Sequence, residues 1–104
     1  ARAKDELALA GRTLAKAKSQ QENSYAAAVA AVRAAAIATD SKKLSRDQSA
    51  ELRDEAAFLF GEGSYSELEN EKAALSLAQD EDSLYQALVD EYSAWLDLAA
   101  LAGK

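Results

Sequence analysis

A chain of 104 residues with no proline and only four glycines has few places where a helix can be made to stop. Two of those glycines fall in one short stretch, Phe60-Gly61-Glu62-Gly63-Ser64-Tyr65. That stretch therefore reads as the turn of a helical hairpin, and the rest of the chain is organised about it. A helix ending at Phe60 is expected to pass into the left-handed conformation at Gly61, where no Cβ clashes. Ser64 is expected to be the N-cap of the return helix, because Glu67 stands three residues later in capping-box spacing. No Gly or Pro interrupts the sequence again until Gly103. The reading is one α-helical hairpin domain or fragment over residues 1–104, with its tip at 61–64.

Before the tip, a helix is expected from about residue 2 to 39. Its first part carries Leu7, Leu9 and Leu14 among Ala and charged residues, and Tyr25 to Ala38 is dominated by alanine, the strongest helix former. Gly11 lies inside this helix at a cost of about 1 kcal/mol relative to Ala. Thr39-Asp40-Ser41-Lys42-Lys43-Leu44-Ser45 is rich in cap formers, and Ser45 with Gln48 makes another candidate capping box. Two readings stand side by side here. Either the helix is kinked but continuous, or it breaks near residues 40–45 and gives a three-helix arrangement. Arg46 to Phe60 resumes helical spacing with Leu52, Ala56, Leu59 and Phe60.

After the tip, Leu75, Ala78, Asp82, Tyr85, Val89, Tyr92, Leu96 and Ala99 alternate by three and four, the period of a left-handed coiled coil. A second apolar set, including Leu77, Leu84, Leu88, Trp95 and Leu98, lies beside them. Together they cover more than one narrow seam, so this helix seeks more than one neighbour. Those neighbours come either from a folded-back first segment or from other chains. An unbroken first helix is expected to go with self-association. No β alternation is present. The fold class is all-α, a long antiparallel coiled-coil hairpin.

Composition narrows the chemistry. Asp and Glu outnumber Lys and Arg 18 to 12, which argues against nucleic acid as a partner. With no Cys and no His, thiolate and imidazole ligands and nucleophile–base pairs of the usual kinds are missing. Asp80-Glu81-Asp82 and Glu67, Glu69, Glu71 read as solvated helix faces rather than a metal site, lacking the Glu-x-x-His or EF-hand pattern. Tyr85, Tyr92 and Trp95 at helical spacing read as packing aromatics. The expectation is a protein that is not an enzyme and has no cofactor. No run of about 20 uncharged apolar residues exists to cross a bilayer as a helix, and no signal peptide is read at the N-terminus. The first residue is Ala, from which a mature product or an excised fragment is expected.

The ordered series itself carries a resemblance. It runs from the alanine-rich Tyr25 to Ala38 through the charged Lys42 to Ala57 and the turn with Gly61, Gly63, Ser64 and Tyr65. It continues with Glu67-Leu68, then Ala73-Ala74-Leu75-Ser76-Leu77-Ala78-Gln79, and ends at Leu98-Ala99-Ala100-Leu101-Ala102-Gly103. This order resembles the C-terminal periplasmic hairpin of TolC-like outer-membrane efflux proteins over about residues 24–103. After the tip the chain departs from that family's apolar residue and Leu-Asp-Ala, having Ser66 and Glu69-Asn70-Glu71 instead. The β-strands of the family's barrel and its other helical repeat lie outside this chain. The resemblance implies a trimeric duct of the outer membrane whose hairpin, on the periplasmic side, meets an adaptor protein of a tripartite pump. The residues it places at that contact are Gly61, Gly63, Ser64 and Tyr65. Two other readings are the coiled-coil hairpin of such an adaptor and a stand-alone helical bundle, structural or engineered, without catalytic activity.

Overall fold

The computed structural model describes residues 2–103 and consists of two helices, α1 (Arg2–Gly61) and α2 (Glu67–Ala102), joined by a short turn. It is an all-α antiparallel hairpin, a rod of 92 × 18 × 15 Å. No strand occurs among the described residues.

Of the two readings at residues 40–45, the continuous helix is the one observed, since α1 runs 60 residues without interruption. The polar patch is put to another use. Thr39, almost fully buried, turns its hydroxyl to the Ala35 carbonyl one turn back (3.0 Å) and toward the Ala87 carbonyl across the hairpin (3.4 Å). A hydroxyl satisfied by the i−4 carbonyl leaves the helical ladder intact. Ser45 sits inside the helix, half-buried, and caps nothing. With no glycine or proline in the patch, each added helical residue gains a hydrogen bond without a new nucleation cost.

The seam between the helices is also displaced from the expected one. On α2 the covered and half-covered residues, with Ser83 beside them, are Asn70, Ala73, Leu77, Asp80, Leu84, Ala87, Glu91, Ala94, Leu98 and Leu101, the ten alternating by three and four. This heptad lies two residues out of phase with the Leu75–Ala99 series, whose large members are exposed. The facing stripe of α1 includes Ala28, Val32, Ala35, Thr39, Arg46, Ser49, Arg53 and Ala56. Alanines line this seam on both helices, so little side-chain volume is buried along it. Val32, Ala56, Leu84 and Ala87 make up the buried apolar core of the described residues. Only Val32 and Leu84 are large, each contributing about 1.5–3 kcal/mol.

Polar groups set the register along this thin core. Ser49 hydrogen-bonds the half-buried Asp80 across the hairpin, and Thr39 reaches Ala87 one heptad further from the tip. Polar residues at seam positions favour one alignment because any slip leaves them unpaired. The two ion pairs found among the described residues, Arg2 with Glu6 and Arg46 with Asp47, both lie within α1 and do not join the helices. At its far end α2 meets α1 where Gln21, Glu22, Tyr25 and Leu101 line one groove. Residues 2–20 of α1 extend beyond that point and are exposed throughout.

Candidate functional site

The hairpin tip is built by the way α1 ends. The Glu62 amide still donates to Phe58 O (3.0 Å), the last ordinary helical spacing. The Gly63 amide then donates to Phe60 O (3.0 Å) and the Ser64 amide to Leu59 O (2.8 Å). That pair of bonds is the Schellman closure, which requires a left-handed residue between them. Gly63 is that residue, with φ of 80°. Gly61 is therefore not the left-handed glycine expected from the sequence; it is the last residue of α1. The Tyr65 amide also donates to Leu59 O, at 3.2 Å, so the same carbonyl holds two consecutive residues of the turn.

The start of α2 is shifted likewise. Ser66, at φ −76° and ψ 162°, is the N-cap, and its hydroxyl accepts from the Glu69 amide. The Asn70 amide donates to Ser66 O (3.1 Å), the first bond of the new helix. Ser64 does not cap α2, which begins at Glu67 after Ser66; its amide closes α1. Ser66-Glu67-Leu68-Glu69 has the same Ser-x-x-Glu spacing as Ser64 to Glu67, so the signal for the true cap was present in the sequence.

All four sequence-predicted residues, Gly61, Gly63, Ser64 and Tyr65, are exposed at this end of the rod. The structure adds three more apolar side chains at the same end, Phe58, Phe60 and Leu68, each exposed along with Tyr65. A Cβ built on Gly61 or Gly63 would meet nothing within 4 Å, so the backbone of the turn is open to an approaching partner. The tip thus offers a cluster of aromatic area around uncovered peptide groups. Phenylalanine and tyrosine of this kind are enriched where proteins dock, since each supplies large buriable surface with few rotatable bonds.

Among the described residues no three acidic side chains are grouped to hold a metal ion. A groove along the hairpin is lined by alanines of α1 with Lys42, Ser83, Gln86 and Asp90. No described helix is long and apolar enough to cross a membrane. No protein-family model, curated protein or solved structure matches the chain.

Proposed function

We propose that the chain is a structural and docking element, the periplasmic hairpin of an outer-membrane efflux duct of the TolC-like kind, whose tip meets the adaptor of a tripartite pump. The observation that carries the docking role is the tip itself, where Phe58, Phe60, Tyr65 and Leu68 stand exposed around an open turn at the end of a 92 Å rod. A partner approaching end-on meets this surface first. The assignment to an efflux duct rests on the sequence resemblance, and the continuous antiparallel hairpin with a glycine turn is in keeping with it. In this reading the body of the rod is scaffold, the duct assembles as a trimer, and no catalytic step belongs to the chain.

Recognition would use Tyr65 as the buried anchor and the turn's carbonyls as hydrogen-bond acceptors, the Glu62 to Tyr65 amides being bonded within the turn. In a full-length duct carrying this hairpin, Tyr65→Ala should reduce both cross-linking to the adaptor and efflux while trimer assembly stays intact. Unchanged cross-linking and efflux in Tyr65→Ala, Phe60→Ala and the double variant would reduce the tip to a plain connection and remove the reading.

A further inference from the structure

The hairpin leaves two surfaces without a neighbour, and their charges are opposite. The first is the outer face of α2. Leu75, Ala78, Asp82, Tyr85, Val89, Tyr92, Leu96 and Ala99 form a complete second heptad, turned away from α1 so that Tyr85 is 70% and Tyr92 67% exposed. It holds larger side chains than the seam that α1 covers. A helix with two heptad stripes packs against two helices, and the hairpin supplies one. Over Tyr85 to Ala99 the charged residues of α2 are Asp90, Glu91 and Asp97, a net charge of −3.

The second surface is the overhang of α1, residues 2–20, which α2 is too short to reach. Arg2, Lys4, Arg12, Lys16 and Lys18 against Asp5 and Glu6 give it a net charge of +3. Leu9 and Leu14 border a shallow groove containing Ala10, Thr13 and Ala17, with Glu6 at one end. Those small residues allow a neighbouring helix to come close. The overhang is about 27 Å long, and the stretch of the outer heptad from Tyr85 to Ala99 about 21 Å, so one can lie along the other.

Charge decides which surfaces meet. Two α2 faces in contact over this stretch would set −3 against −3. Two overhangs in contact would set +3 against +3. Only the mixed pairing is complementary, and like charges facing each other across an interface are strongly disfavoured. We infer that the α1 overhang of one copy docks on the outer heptad of α2 in a second copy. The contact is head-to-tail: each copy gives one surface and receives on the other, so assembly proceeds to a closed ring or an open filament. It involves neither the tip nor an adaptor, and stands or falls apart from the efflux reading.

Complementation by two variants tests it, with the full chain followed by analytical ultracentrifugation at micromolar concentration and low ionic strength. One variant, Lys16→Glu with Lys18→Glu, spoils the overhang; the other, Tyr85→Ala with Tyr92→Ala, spoils the receiving face. All four residues are exposed, and circular dichroism checks that helicity is kept. The wild-type chain should associate, and more weakly as salt is raised. Each variant alone should associate about tenfold more weakly or worse. Mixed one to one, the variants should form a heterodimer, because each retains the surface the other has lost. A wild-type chain that stays monomeric overturns the inference. So does an overhang variant that assembles like the wild type, or a mixture that yields no heterodimer.

Discussion

Gly61 and Gly63 are two residues apart and have opposite demands placed on them. Gly63 at φ 80° occupies a region that costs an L-residue about 1–2 kcal/mol. Gly61 is helical with open space around it, where alanine is better by about 0.5–1 kcal/mol. Thermal unfolding should therefore show Gly63→Ala lowering the midpoint and Gly61→Ala raising it. The reverse order would mean that α1 ends two residues earlier. The serines form a matching pair. Ser66→Ala should cost about 1 kcal/mol through loss of the bond to the Glu69 amide, whereas Ser64→Ala should cost little, since its contribution is a backbone amide. From the sequence the tip was legible as a place but not to the residue. Both serines have a glutamate three positions on, and both glycines fit a helix end. What separates them is the two-bond closure onto Leu59 and Phe60, and this depends on the path of the returning chain.

At the scale of the helices, the sequence made α2 evident as a long coiled-coil helix and misled about which of its faces meets α1. The heptad through Tyr85 and Tyr92 holds the larger apolar residues, and a reading by hydrophobicity selects it. The heptad through Leu84 and Ala87 is the one covered because α1 presents Ala28, Ala35 and Ala56, which suit close approach and not large knobs. The covered seam carries Asp80 and Glu91 and the exposed one only Asp82, so charge does not single out the covered face. The partner Ser49 does, and it lies 31 residues away in sequence. Leu84→Ala should accordingly destabilise the hairpin by about 2 kcal/mol or more in chemical denaturation. Tyr85→Ala, measured at dilution where chains do not associate, should change it by about 0.5 kcal/mol or less. Ala56→Leu should destabilise by about 1–3 kcal/mol, because the added carbons have no volume to enter between the helices. Equal losses from Leu84→Ala and Tyr85→Ala would place α1 on the other face.

For the molecule as a whole, the long unbroken α1 is what gives the tip its reach. The cap-rich residues 39–45 left the sequence compatible with a folded-back bundle, and only the cross-hairpin use of Thr39 and Ser49 shows how a straight helix satisfies them. A three-helix bundle would bury more apolar surface, but it would do so by withdrawing α1 from the rod. The overhang and the exposed heptad of α2 are the consequence of staying extended. The distance between spin labels at Gln20 and Glu55, read by pulsed electron resonance, tests this directly. Labelled chains diluted into unlabelled ones keep the measured pairs within one molecule. A continuous helix predicts a separation of about 53 Å. A distribution centred at about 20 Å, the value for a segment folded back near residues 40–45, would contradict the extended hairpin and with it the end-on presentation of the tip.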